Sequence, residues 1–186
     1  MKELSLNILD VAKNSVVAGA ALVRISLETD TEGWLTLQIG DDGCGMSAET
    51  LRRVTDPFYT TRTTRKVGLG LPLLKLAAEQ TGGTLRLSSS TEIGKSGTLV
   101  EARFDTKSID CMPVGDIIST ICILIAGSPE IDFSFTDITP TRTVTLDTRE
   151  LREVLGNEIS LAEPEIQTWI KEYLKEQYTS SPLTQD

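Results

Sequence analysis

The chain contains no histidine. No imidazole of its own can therefore act as phosphoacceptor, general base or metal ligand. Cysteine is nearly as scarce. Cys44, Cys111 and Cys122 are odd in number and lack metal-ligand spacing, so neither a disulfide framework nor a zinc site is expected, and a reducing cytoplasm is the simplest compartment. Basic residues are in deficit, 18 against 27 acidic, and the formal charge of -9 argues against a nucleic-acid or anionic-membrane surface. Long apolar runs are missing too. Ile117 to Ala126 (IISTICILIA) is too short to span a bilayer and reads as a buried helix. The Met1-Lys2-Glu3 start leads into a mixed amphipathic segment, not a signal-peptide core. At 186 residues the chain can hold one substantial core, or one domain with a smaller appended unit.

Against this background one stretch stands out. From Phe58 to Gly83 the chain reads FYTTRTTRKVGLGLPLLKLAAEQTGG. A hydroxyl-rich, basic segment (Thr60, Thr61, Arg62, Arg65, Lys66) meets glycines at 68 and 70, which let backbone amides approach a ligand with no Cβ in the way. Pro72 suits the first turn of a helix whose positive end would face the loop, and phosphate is the ligand such an end favours. In an acidic chain the basic run from Arg62 to Lys66 is a local exception, and a polyphosphate is one reason for it. An ordinary flexible connection is the alternative that the loop alone leaves open.

The rest of the chain reads as alternating helices and antiparallel strands. Leu4, Ile8, Val11, Ala12 and Ser15 recur at helical spacing, with Glu3, Asn7, Asp10 and Asn14 on another side, and Gly19 ends the helix. Val23, Ile25, Leu27 and then Leu35, Leu37, Ile39 alternate with polar residues as a hairpin. Ser47 caps a short helix to about Val54. Leu73 to Ala78 form a helix stopping at Gly82-Gly83, and Leu85, Leu87 and Val100, Ala102, Phe104 mark two more strands. The fold class is α+β, a two-layer α/β sandwich over residues 1–106.

Residues 107–178 read as a small C-terminal α/β extension: the apolar helix, strands at Ile131 to Phe135 and Thr141 to Leu146, a helix opened by an Asp147/Glu150 capping box, and a last helix near Pro164. Trp169 and Tyr173 are expected in its core. Residues 179–186 are expected to be a disordered tail.

Two further constellations carry chemistry. Asp10 and Asn14 lie one helical turn apart; the carboxylate can orient or deprotonate a nucleophile, and the carboxamide oxygen can ligate Mg²⁺. Both could equally be solvated helix positions. Asp41, at a strand end before Gly43 and Gly45, offers an acceptor-only carboxylate suited to an exocyclic amino group such as that of adenine. A tight acidic turn is the plainer alternative.

The order of these pieces, Asp10 and Asn14, then Asp41-x-Gly-x-Gly, then Phe58 with Thr60 and Thr61, then Gly68-Leu69-Gly70-Leu71, then Gly97-Thr98, resembles the nucleotide site of the GHKL ATPase superfamily. That superfamily includes histidine-kinase catalytic domains, anti-sigma kinases, type II topoisomerase ATPase domains and MutL-type repair proteins. NSVVAGA and DDGCGM are similar to the MutL-like branch; DPFYTTR and GLGLPLLKLAAEQTGGTL look like histidine kinases. The resemblance spans about Leu4 to Phe104 and implies a Bergerat-type sandwich.

Carried over by position, it implies that Asn14 coordinates Mg²⁺ and that Asp10 takes the catalytic position. Asp41 would bind the adenine amino group, with Gly43, Gly45 and Met46 shaping the base pocket. Phe58 to Val67 would form an ATP lid, with the amides of Gly68, Gly70 and Leu71 on the phosphates. Leu69 lies within that glycine turn, and Thr98 would support Asp41. Arg62, Arg65 and Lys66 are added as phosphate partners from their charge.

Aspartate at position 10 is a methylene shorter than the family's hydrolytic glutamate, which favours slow hydrolysis or phosphotransfer to another protein. With no histidine and no dimerising hairpin before Leu4, a self-contained autophosphorylating kinase is not expected. The resemblance thus implies a cytoplasmic, bacterial Mg-ATP-binding ATPase or protein kinase in signal transduction, acting on a protein partner and compatible with a homodimer. It implies no nucleic acid and no membrane. A non-catalytic nucleotide-sensing module is the alternative.

Overall fold

The computed structural model of the chain describes residues 3–56, 70–156 and 158–180. Strict alternation drives the first hairpin. Strands β1 (Leu22–Thr29) and β2 (Trp34–Asp41) pair antiparallel with Ile25 opposite Ile39 and Leu27 opposite Leu37, so the aliphatic residues share one face. Strands β3 (Thr84–Ser90) and β4 (Gly97–Asp105) add to the β2 side, Val100 meeting Ile39 and Leu87 in register. On the other side β5 (Asp132–Thr139) runs parallel to β1, and β6 (Arg142–Asp147) closes the row, giving one six-stranded sheet in the order β3-β4-β2-β1-β5-β6.

The aliphatic face is covered by helices α1 (Leu4–Val17), α3 (Gly70–Gln80), α4 (Ile117–Gly127) and α6 (Pro164–Thr179), with α1 packed between α3 and α4, and α6 beyond α4. Their inward residues, among them Ile8, Leu74, Ile121, Ile125, Ile170 and Leu174, join the strand aliphatics in one core. This is the expected α+β two-layer sandwich, and the strands after residue 107 extend its sheet. The described residues hold two further short helices, α2 (Ala48–Arg53), whose Ser47 cap accepts from the Thr50 amide, and α5 (Thr148–Leu155).

Three details differ from the sequence reading. Strand β5 continues past Phe135 because Asp137, buried on the core face, has partners: Tyr178 donates to it at 2.7 Å and Arg142 lies 3.7 Å away. The Asp147 cap accepts from the amide of Arg149, the second helical residue, and its carboxylate also takes that guanidinium. Trp169 and Tyr173 are not core: they stack on each other at 5.0 Å and are 49% and 37% exposed, since α6 is anchored through Ile170 and Leu174 instead. Helix α6 runs through Thr179, and residues 181–186 of the expected tail lie outside the described residues.

Two contacts tie the later elements to the earlier ones. The first amides of α1, at Leu4 and Ser5, donate to the carbonyls of Pro113 and Val114 at 3.0 and 2.8 Å, satisfying groups that a helix start leaves unpaired. The edge strand β6 is guarded at Thr145, whose backbone N–H and C=O both bond the Gln177 carboxamide at 2.9 Å.

Candidate functional site

The last residue of β2 is the pivot. Asp41 stands on the core-facing side of the sheet, where the strand ends and α1 passes over it. Its Oδ2 accepts from the Ser15 hydroxyl at 2.6 Å and its Oδ1 from the Gly43 amide at 3.0 Å. A carboxylate has about four lone-pair sites, so this oriented group keeps acceptor capacity for a further donor.

The loop after it is clamped from both sides. Asp42 accepts from the amides of Ala21 and Leu22, and the Cys44 amide donates to Ala18. On the β3 side the Met46 amide donates to Ser89 Oγ at 2.7 Å. Ser89 in turn donates to the Gly97 carbonyl at 2.8 Å, which commits its one proton, so the 2.9 Å contact with Thr98 Oγ1 has Thr98 as donor. Thr98 is thus the register partner of Asp41, but its hydroxyl serves Ser89; the hydroxyl on the Asp41 carboxylate comes from Ser15.

Glycine is required at two of these positions. Gly45 has φ +69, and a Cβ there would lie 1.9 Å from the Ser90 carbonyl oxygen; Gly97 has φ +141, and its Cβ would lie 2.1 Å from that of Asp41. The loop and the neighbouring turn touch backbone to backbone.

Across the helix layer, Asp10 and Asn14 are half-buried on α1. Asp10 faces the start of α3: a Cβ on Gly70 would lie 2.5 Å from Asp10 Oδ2. The helix end that the sequence reading assigns to phosphate therefore has a carboxylate beside it, a favourable pairing with the helix dipole. Gly70 is the first residue of α3, and Leu71 and Pro72 are buried within its first turn. Asn7, one turn before Asp10, is 1% exposed and its Oδ1 has no hydrogen-bond partner among the described residues.

Among the described residues no cluster of three or more acidic, cysteine or histidine side chains could hold a metal. The oxygen donors Asp10 and Asn14 suit instead the sparse protein coordination of Mg²⁺, which relies on ligand phosphates and water. Phe58, Thr60, Thr61, Arg62, Arg65, Lys66, Val67, Gly68 and Leu69 lie outside the described residues. No helix among the described residues is long and apolar enough to cross a membrane.

Sequence reasoning missed Ser15, Asp42 and Ser89. Ser15 falls on the apolar stripe of α1, and a hydroxyl at a core-facing position is itself a signal, because once buried it needs a partner. Ser89 is one of three consecutive serines, and only strand parity separates it from its neighbours.

Residues 1–108 match the family described as histidine kinase-, DNA gyrase B-, and HSP90-like ATPase. Curated relatives include the signal transduction histidine-protein kinase AtoS of Escherichia coli (strain K12), 30% identical over 100 residues, covering 54% of this chain and 16% of that protein. The heme sensor protein HssS of Staphylococcus saprophyticus is 34% identical over 93 residues, covering 50% of this chain and 20% of its own length. The chain thus spans a fifth or less of these relatives.

Among solved structures, the N-terminal domain of a DNA repair protein superposes with a TM-score of 0.57 at 16% identity, covering 84% of this chain and 58% of that one. The Aquifex aeolicus MutL ATPase domain complexed with ADP gives 0.50 at 14% identity, covering 74% and 60%. At such identities these two show a shared fold. With the family match extending over more than half of the chain, the protein belongs to the histidine kinase-, DNA gyrase B- and HSP90-like ATPases and carries a domain related to histidine-kinase catalytic domains.

Proposed function

We propose that this chain binds Mg-ATP between α1, α3 and the β2 end of the sheet, and that binding drives phosphotransfer or signalling to a protein partner. The observation that carries the reading is Asp41: a carboxylate fixed by Ser15 and the Gly43 amide, with lone pairs to spare, in a loop clamped on both sides. Such a group recognises the amino edge of adenine. Gly43, Gly45 and Met46 would wall the base. The start of α3 at Gly70 and Leu71 would face the phosphates, together with the segment from Phe58 to Leu69.

Asn14 would hold Mg²⁺, which when bound neutralises phosphate charge and orients the terminal group. Asp10 lies near the reacting end, where it can orient a nucleophile brought by the partner. With no histidine in the sequence, any phosphorylated imidazole lies outside these 186 residues. A protein phosphoacceptor accords with the relative named as a signal transduction histidine-protein kinase, and a bacterial setting accords with the organisms of both relatives.

A nucleotide-sensing role without turnover is the second reading. It is favoured by the packing of Asp10 against Gly70, which places negative charge at the helix start where phosphate would otherwise be drawn. Thermal stability in ATP and ADP, with and without Mg²⁺, tests binding: at about a hundredfold excess over Kd a ligand adds about 2.7 kcal/mol. The wild type should gain, Asp41→Asn should not, and Asn14→Ala should lose the Mg²⁺ dependence. No gain in the wild type at millimolar ATP refutes the binding reading. Release of labelled phosphate, or its transfer to a co-purified protein, lost in Asp10→Ala, refutes the sensor reading.

A further inference from the structure

The sheet has a second face, opposite the helices, and it is not flat. Between residues 24 and 26 of β1, the β3–β4 turn and β5 lies an open trough of about 610 Å³, within the size range of small-molecule sites. Its floor is a row in register across five strands: Ser88, Leu99, Gly40, Arg24 and Ser134. The hollow centres on Gly40, where the row lacks a side chain.

That glycine has no reason in the fold. It is not among the positive-φ glycines, and a Cβ would make only ordinary contacts, 3.5 Å from Leu99 Cδ1 and 4.0 Å from the Thr98 carbonyl oxygen. Glycine inside a strand weakens it, and a common reason for keeping one is close approach of a ligand.

The charge around the hollow points the same way. Arg24 is exposed and has no ion pair among the described residues, an unneutralised cation in a chain of net charge -9. Lys95 overhangs the rim, with Glu92 at 3.7 Å as an exposed neighbour. Of the nearby carboxylates, Asp147 holds Arg149, Asp41 turns its oxygens to the opposite face, and Glu101 accepts from the neutral Gln38 carboxamide and keeps its charge. Beyond Arg24 the lining is hydroxylic, Ser26, Ser134 and Thr136.

We propose that this trough is a ligand site separate from the nucleotide site, for a small phosphate monoester with a hydroxylated body. The phosphate lies over Gly40 against the fork of Arg24, a geometry that guanidinium matches well. The body meets the hydroxyls of β1 and β5. The site uses the face away from Asp10, Asn14 and the Asp41 carboxylate and does not depend on ATP binding.

The test is an amide NMR titration of the full chain with glucose 6-phosphate, with inorganic phosphate and glucose as separate arms. Glucose 6-phosphate should give saturable shifts at Arg24, Gly40, Leu99 and Ser134, and bind more tightly than either arm. Arg24→Gln should weaken binding about tenfold, as for loss of a charged hydrogen-bond partner. Gly40→Val, which fills the hollow, should do likewise, with Gly40→Ala as the milder form if valine disturbs the spectrum; Trp169→Ala, at an exposed position of α6 on the helix side, should bind as wild type. Four outcomes overturn the proposal: no saturation up to about 10 mM, well above a millimolar Kd; equal affinity for inorganic phosphate alone; shifts that survive both Arg24→Gln and the Gly40 change; or shifts confined to Gly43, Gly45 and Met46.

Discussion

Replacing Ser15 by alanine removes one hydroxyl and should disable the site's pivot without touching a ligand. The bond to Asp41 is 2.6 Å long, and Ser15 is 4% exposed. A hydrogen bond to a charged group contributes about 1.5–3 kcal/mol net. Because Asp41 is only half-buried, water can replace the hydroxyl from one side, which places the loss near the lower figure. In a domain of this size each kcal/mol moves Tm by about 2–4 °C, so Ser15→Ala should melt about 3–6 °C lower. If the freed carboxylate leaves its orientation, ATP affinity should fall about tenfold as well.

Thermal unfolding gives the first number and an ATP titration of the same samples the second. Ser15→Thr, which keeps the hydroxyl, should recover part of both. Combining Ser15→Ala with Asp41→Asn should give less than the summed loss, because the two changes delete one interaction. Unchanged Tm together with full additivity would refute the claim that Ser15 holds Asp41.

Other expectations can be read from the same geometry. Gly97→Ala should destabilise severely or prevent folding, because the added methyl meets the Asp41 carbonyl oxygen and φ is +141; soluble expression and Tm report it. Trp169→Ala should cost less than about 1 kcal/mol, whereas Ile170→Ala should cost about 2–5, the one being exposed and the other core; denaturant unfolding separates them. Asn7→Leu should be neutral or stabilising in the free protein, since it removes a buried oxygen without a partner among the described residues; a Tm loss of several degrees would show that the oxygen is satisfied. Tyr178 is held well above its ordinary value of 10.0, first by burial and then by its bond to Asp137. With the folded value the higher one, its stabilisation is complete below pH 10 and is lost as pH rises beyond it. Stability measured from pH 8 upward should therefore fall past pH 10 in the wild type and fall less in Tyr178→Phe.

Much of the sandwich could be read from periodicity, because β1, β2, β4, α1 and α4 each present a regular apolar face. What could not be read was pairing between distant segments. Nothing in Asp132–Thr139 announces that it will lie parallel to β1, since parallel register is set by how α4 crosses over the sheet. Asp137 in an apolar alternation looked like the end of a strand, because its partners, Arg142 and Tyr178, come from other elements. Trp169 and Tyr173 sat one step off the buried stripe of α6, an error of one helical position that exchanged core for surface.

At the site, glycine spacing marked the close backbone approaches at Gly45 and Gly97. Hydroxyls marked no partner, for a serine's role depends on what faces it. Thr98 drew attention as a strand neighbour of Asp41, while Ser15, from a helix, made the bond.

The carbonyls of Pro113 and Val114 that close the start of α1 have a consequence in time. During synthesis α1, with Asp10 and Asn14, leaves the ribosome long before those carbonyls exist, and β1 waits longer still for its neighbour β5. A helix whose first amides are unpaired frays, and a sheet missing an inner partner exposes an edge. The nascent chain must therefore hold an unfinished first half of the sheet until the residues of β5 have been made. That interval, when the edge of β1 is open, is when this protein would be most exposed to aggregation and most in need of a chaperone.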